Sequence, residues 1–476
     1  MSRYIQKKIM VLIKTIMDAL QSRSYASCQE GVEALINCMN SIGEEDSVIV
    51  ELLEELYKLL HQAYSGEIDE KPLMEKLSQI MSCVSKELSL TRIEVAFISH
   101  KASMSDSLES IYLAAKEDPD CDAYWIPVPH IELSKDHEIA TIHFEGEGHY
   151  GDELEITKWE KYDFEARRPD IVFTFNEYDD YNYMSVIHPD FFNRDLCKKT
   201  DMLIYVPYFV DVDGGTIDSS CTNQGCMYAR HTILSTEKMR ERYIRTFEQT
   251  HGDEFGNPEE KFVALGSPKY DKVINTKRED CKLPQEWSDI IGEKKVITYI
   301  SSITSFLETS ETYLEKLQEQ LDIFKIREDV VLWWRPHPLI ESAFKTMRLD
   351  KWQLYQEIVA TYKDEGWGIF DDTTDLHRAV AWGDAFYGDW SSVLLLYRCV
   401  GKTAMISDSS ASFERIKPEL GDCRLDREPD SLVQFIDDVV SGNTVVKESQ
   451  STARNVINAD GTAGKAIYEF AKRAVL

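Results

Sequence analysis

The chain has 476 residues, 43% hydrophobic and 29% charged, enough for roughly two or three domains with packed cores. A formal net charge of −31 argues against a general nucleic-acid binder, which needs a basic surface; an anionic ligand must be held by local donors, such as helix N-termini or single Arg and His side chains. Ten cysteines without a C-x-x-C pair read as reduced thiols in a cytoplasmic protein rather than as a zinc set or a disulfide framework.

Residues 1–90 read as an all-helical module. Ile5, Ile9, Leu12, Ile16 and Leu20 share one helical stripe, with Lys7, Lys8 and Lys14 elsewhere on the surface. That stripe either packs on neighbouring helices or makes a peripheral membrane contact. Leu52, Leu53, Leu56 and Leu60, then Leu73, Leu77, Ile80, Val84 and Leu88, repeat at helical spacing. The module suits packing or homo-oligomerisation and carries no visible chemistry. No apolar run approaches the roughly 20 residues of a membrane span, and Lys14 interrupts what would be a signal-peptide core.

From Ile93 the pattern changes. Ile93–Ser99, Tyr124–Val128, Ile171–Phe175 and Met202–Val206 are short β-rich runs separated by helical or polar segments. A second series is expected from Phe262–Leu265 through Val296–Ile300, Val330–Trp334, Gly368–Phe370, Ala385–Tyr387 and Thr403–Ile406, with helices over Ser310–Phe324, Trp352–Lys363 and Ser391–Cys399. Alternating strands and helices imply parallel sheets covered on both faces. The expectation is therefore an N-terminal lobe at 91–258 and a C-terminal lobe at 259–445, joined near Gly252–Glu260, with a helical tail at 446–476. Ligands of such sheets bind at strand C-termini, here in the cleft between the lobes.

The polar segments that follow the strands are the candidate site loops. Gly388-Asp389-Trp390-Ser391-Ser392 opens an apolar helix, where Ser391 and Ser392 suit phosphate binding and Asp389 suits plain capping. Arg335-Pro336-His337-Pro338 fixes Arg335 and His337 at a strand end, as pyrophosphate donors or as an ordinary turn. Ser301 and Ser302 begin a hydroxyl-rich loop, and Lys269, in Gly266-Ser267-Pro268-Lys269-Tyr270-Asp271, is placed to neutralise a phosphate or to decorate a turn. Phe370–Asp375 contains an N-cap for the helix Leu376–Trp382, and a carboxylate there, Asp372, offers a ribose contact or only a cap. In the first lobe, Asp106 and Glu109 have capping-box spacing, while Ser103, Ser105 and Asp106 are alternative acceptor contacts. Asn176, Tyr178 and Asn182, in the loop Asn176–Tyr183, suit polyol or phosphate recognition, and His188 follows.

Gly266–Asp271, Arg335–Pro338 and Asp389–Ser392 followed by Gly401-Lys402 resemble, in order and spacing, the CDP-glycerol glycerophosphotransferase family of teichoic-acid-type polymer synthesis. Ser103–Ser110, Asn176–Tyr183 and Tyr205–Phe209 resemble a bacterial subgroup. The resemblance covers about residues 91 to 445. It implies a GT-B-like α/β fold, in which two doubly wound Rossmann-type lobes face a cleft. It also implies transfer of glycerol phosphate from CDP-glycerol to a hydroxyl of a polyol-phosphate or glycan acceptor, which is cell-surface or lipid-linked, with release of CMP. The enzyme would be cytoplasmic, at the inner face of the cell membrane, needing no metal or cofactor beyond its substrate. His337, Ser391 and Ser392 match the family's pyrophosphate contacts. The family's first-lobe His-Gly-Thr motif, whose His is its proposed base, is replaced by Val206-Pro207-Tyr208-Phe209. Tyr208 thus joins the acceptor side, and Asp106 and His188 stand in as candidate bases. Other readings are a GT-B nucleotide-sugar glycosyltransferase, a UDP-sugar 2-epimerase-like enzyme, or a non-catalytic nucleotide- or glycan-binding relative.

Overall fold

The computed structural model describes residues 3–41, 47–87, 92–133, 138–180, 185–211, 218–308, 312–337, 340–408, 410–420, 423–444 and 455–476. Helices Arg3–Gln21, Tyr25–Ser41, Val48–Tyr64 and Lys71–Glu87 pack in sequence around one core. The stripe weighed for membrane contact turns inward: Ile9, Ile16 and Leu20 are buried, and Ile5 and Leu12 pack against the same core. Gly31 lets the first two helices meet closely, since a Cβ there would lie 2.7 Å from Ile16 Cγ1. No helix among the described residues is long and apolar enough to cross a membrane.

The first lobe holds strands β1 (Ile93–Ser99), β2 (Cys121–Pro127), β3 (His130–Leu133), β4 (Ile139–His143), β5 (Ile171–Thr174), β6 (Ser185–Ile187), β7 (Met202–Tyr205), β8 (His231–Leu234) and β9 (Phe262–Ala264). Six form a parallel sheet in the order β2-β1-β5-β7-β8-β9, and β4-β3-β6 form a small antiparallel sheet beside it. Every residue of β1 and β5 is buried, as expected of strands covered on both faces. The helical module docks at the N-terminal ends of this sheet. There Asp170 and Asp201, just before β5 and β7, accept from Arg3 (3.0 Å) and Lys7 (2.9 Å to Asp201).

The second lobe holds β10 (Lys295–Ile300), β11 (Val330–Arg335), β12 (Ile369–Phe370), β13 (Ala385–Gly388), β14 (Thr403–Ile406) and β15 (Arg424–Leu425). They form a parallel sheet in the order β12-β11-β10-β13-β14-β15. The expected lobe boundary is corrected here. Phe262–Ala264 does not open the second series; it is the last strand of the first sheet, paired with β8. Phe262 is fully buried against Tyr243 and Phe247 of the helix Glu237–His251, and that packing keeps β9 in the first lobe. The chain crosses over after it, through Gly266–Asp271. The final helix, Ala463–Val475, returns to the first lobe, where Ile467, Tyr468 and Ala471 join the core beneath β1.

Candidate active site between the lobes

Each sheet has one place where strand order reverses, and ligands of open α/β sheets bind outside the strand C-termini at that point. In the second sheet it lies between β10 and β13. The loops after those strands are Ser301-Ser302 and Asp389-Trp390-Ser391. Gly388 has φ 136°, and a Cβ there would sit 2.1 Å from the Ile300 carbonyl oxygen. Asp389 is buried, and its Oδ2 accepts from the Ser302 backbone N–H at 2.8 Å. Burial pushes its carboxyl up to about 7, against the partial offset of that hydrogen bond. Asp389 is therefore the tie between the two loops, not a helix cap and not an exposed donor contact. Ser391 is the residue that caps the helix Ser392–Cys399, and its enclosed Oγ has no hydrogen-bond partner among the described residues. Ser302 Oγ accepts from the Ser305 N–H at 3.0 Å.

One strand outward, β11 delivers Arg335 and His337 to a cavity of about 510 Å³ shared with Trp352, Tyr355, Lys363 and Asp372. Arg335 Nη1 lies 2.5 Å from Asp371 Oδ2, and Nη2 donates to the Thr373 carbonyl at 2.6 Å. Asp371, fully buried, also accepts from Trp333 Nε1 at 3.0 Å. Arg335 thus stiffens the loop with two of its nitrogens, and His337 lines the same cavity. Burial lowers the His337 pKa, so its ring is neutral at physiological pH. Asp372 is exposed beside this cavity, while the cap of the helix Leu376–Trp382 is Asp375.

The Gly266–Asp271 motif proves to be the seam between lobes rather than a phosphate loop. Gly266, at φ 100°, faces the Ile457 carbonyl, which a Cβ would approach to 2.2 Å. Lys269 Nζ bonds both oxygens of Asp106, at 2.6 and 2.7 Å. His377 Nε2, from the second lobe, lies 2.8 Å from Asp106 Oδ2. Asp271 accepts from the backbone N–H groups of Ala463 and Gly464, at 3.0 and 2.7 Å, and from Ser110 Oγ. Burial alone would raise the Asp106 carboxyl; the Lys269 charge and the His377 imidazole outweigh it and hold the group far below the ordinary carboxylate range. A carboxylate so held is a poor proton acceptor. Asp106 is therefore withdrawn as a base, and Lys269 as a donor contact. The capping box fails for the same reason: Glu109 is paired with Lys272, and no side chain caps the helix Glu109–Glu117. Ser103 and Ser105 face this seam and not the remaining acceptor-side residues.

Those residues meet at the reversal point of the first sheet, between β1 and β5. Asn176, Tyr178 and Tyr208 line a cavity of about 390 Å³ with His100, His130 and Glu177. Asn176 is partly occupied in holding the loop, since its Nδ2 donates to Asp179, which also accepts from the Asn193 N–H at 2.7 Å. Asn182 lies outside the described residues. His188 is not at this cavity. Its ring packs on Trp159, 5.5 Å between centroids, and its Nδ1 accepts from the Asp190 N–H at 3.4 Å, so it is withdrawn as a base too. Sequence reasoning missed His100, His130, His143 and Glu177. Two of them had a signal available: His100 follows β1 directly and Glu177 sits in the loop after β5. His130 and His143 reach the cavity only through the small antiparallel sheet, which went unread.

Residues 237–404 match the family model described as CDP-Glycerol:Poly(glycerophosphate) glycerophosphotransferase. No curated protein sequence matches the chain significantly. Among solved structures, a putative UDP-N-acetylglucosamine 2-epimerase from Listeria monocytogenes is 14% identical at TM-score 0.51, over 81% of this chain and 97% of that one. The S. aureus MnaA–UDP co-structure is 11% identical at TM-score 0.50, over 80% and 97%. The wall teichoic acid polymerase TagF, soaked with CDPG, is 15% identical at TM-score 0.49, over 90% and 98%. The first two likenesses establish the GT-B-like fold alone. The match that bears on family covers β10, β11 and β13 with their loops, and over that segment the chain is similar to the CDP-glycerol:poly(glycerophosphate) glycerophosphotransferases.

Proposed function

We propose that the chain is a glycerophosphotransferase that moves glycerol phosphate from CDP-glycerol to a hydroxyl of a polyol-phosphate or glycan acceptor, and releases CMP. One observation carries the reading: the family-matched segment builds the second-lobe reversal point, where Ser391 caps the helix Ser392–Cys399, and it carries His337 at the end of the neighbouring strand β11. In this reading the acceptor oxygen attacks the β-phosphorus and the bond to the CMP oxygen breaks. The positive helix N-terminus and the neutral imidazole of His337 meet the charge that gathers on CMP. Asp372, exposed at the 510 Å³ cavity, contacts the donor ribose. No cofactor is invoked. Ten free thiols fit a reducing compartment, and we place the enzyme in the cytoplasm. The helical module, at the opposite end of the first sheet, takes no part in the chemistry.

The test is thermal shift with CDP-glycerol, UDP-sugars and CMP, since a ligand selective for the folded state raises the melting point by mass action. Stabilisation by CDP-glycerol and CMP, lost in Ser392→Ala, is expected. Stabilisation by UDP-sugars alone would overturn the donor assignment. In turnover, His337→Ala is expected to abolish CMP release with the fold intact; a near wild-type rate would remove His337 from the site.

A further inference from the structure

Asp106 is neutralised and His188 lies away from the cavity between β1 and β5, which gathers a different set of titratable groups. The groups there differ in what they can do. His130 is buried and stacks on His143, 5.1 Å between centroids, with His100 edge-on at 6.3 Å. Burial lowers the His130 pKa and pushes His100 down to about 3. Rings held neutral in this way donate or accept hydrogen bonds but take up protons poorly. Among the described residues no set of three or more His, Cys, Asp or Glu side chains is placed to hold a metal ion.

Glu177 is the opposite case. It is buried at the wall of a cavity that Lys101 also lines, no cation among the described residues pairs with it, and Asn223 Nδ2 donates to its Oε1 at 3.1 Å. Asn223 is itself fixed, because its Oδ1 caps the helix Gln224–Tyr228 through the Cys226 N–H at 2.9 Å. Burial raises the Glu177 carboxyl, which hydrogen bonds from Tyr178, Asn223 and Tyr208 only partly offset. A carboxylate with a raised pKa is suited to accept a proton near neutral pH. The cavity is also tied to the donor side. Tyr208 lines it, and two residues on, Val210 is seated in the second-lobe core with Ile300, the residue before Ser301.

We propose that this cavity receives the terminal hydroxyl of the acceptor and that Glu177 takes its proton as the oxygen attacks phosphorus. The assignment rests on the transferase reading above. The acceptor O–H bond breaks and its proton passes to the Glu177 carboxylate. The new O–P bond forms, and the P–O bond to CMP breaks with its electron pair leaving on CMP. His100 and His130, kept neutral, hydrogen-bond the hydroxyls of a polyol end group.

The experiment is CMP release from CDP-glycerol with a short poly(glycerol phosphate) primer, comparing wild type, Glu177→Gln and Glu177→Asp. Glu177→Gln keeps an oxygen for Asn223 and is expected to lower kcat about 10²–10⁴-fold. Its KM for CDP-glycerol and its thermal shift with CDP-glycerol should stay within about twofold of wild type, and Glu177→Asp should recover part of the rate. A Glu177→Gln kcat within about fivefold of wild type overturns the proposal and leaves the transferase reading standing. A loss of donor affinity in step with kcat overturns it as well, because Glu177 would then be organising the donor side. A wild type that binds no CDP-glycerol and releases no CMP overturns the transferase reading, and this proposal with it.

Discussion

Asp106 and Glu177 follow neighbouring strands of one sheet, β1 and β5, and both are buried, at 5% and 7% exposure. Their environments drive them apart. Asp106 meets an ammonium and an imidazole within 2.8 Å and is held charged; among the described residues Glu177 meets neutral donors alone and is pushed toward its protonated form. Burial is common to both, so the difference lies in the partner. Asp106, paired with a cation, is a structural tie; Glu177, facing neutral donors, is open to proton chemistry.

The comparison is most easily broken by deleting the two carboxylates in turn. Asp106→Ala leaves Lys269 and His377 buried without their anion. It should cost about 3–5 kcal/mol, the usual penalty for breaking a buried pair, measured by chemical denaturation. Glu177→Gln removes a charge that burial already penalises, so its stability should match or exceed wild type. Equal destabilisation by both would show that Glu177 is a tie as well.

A smaller effect is expected at the seam's backbone. Gly266→Ala forces a side chain onto a φ of 100° and against the Ile457 carbonyl. It should cost about 1–3 kcal/mol and loosen the return of the C-terminal helix to the first lobe. Hydrogen exchange of the helix Ala463–Val475 measures this, and unchanged protection would place the tail's anchor in Asp271 alone.

A third carboxyl extends the comparison through its pH dependence. Asp389, buried like Glu177, has a folded pKa of about 7 against an ordinary value of 3.8. Between those values the folded chain holds a proton that the unfolded chain has lost. Its contribution therefore falls as pH rises from about 4 to 7, by at most about 1.4 kcal/mol per unit, and then levels off. Asp389→Asn still offers an oxygen to the Ser302 N–H and should flatten that part of the stability–pH curve. An unaltered slope would mean that Asp389 is ionised in the fold.

How far the site was legible depended on how local each signal was. Ser301, Ser391 and His337 follow strands whose apolar runs are unmistakable, and a loop after a parallel strand lies at the ligand end of the sheet whatever the rest of the chain does. Glu177 and His100 had the same signal and were passed over, because residues of ordinary type in polar loops do not announce themselves. Lys269 and Asp106 looked like site residues for the same local reason, and the fold pairs them with each other. They are 163 positions apart, and nothing near either one shows that they neutralise each other.

The amino-acid pattern by itself determined the helical module, the two alternating series of strands and helices, and the loops that end the strands, because hydrophobic periodicity and strand termination are local properties. Only the tertiary structure decided that Phe262–Ala264 belongs to the first sheet, that Gly266–Asp271 is a seam, and which of the buried carboxylates is neutralised. Pairing between strands and the charge state of a buried group are set by what lies opposite in space. A chain written in one dimension does not carry that neighbourhood until it folds.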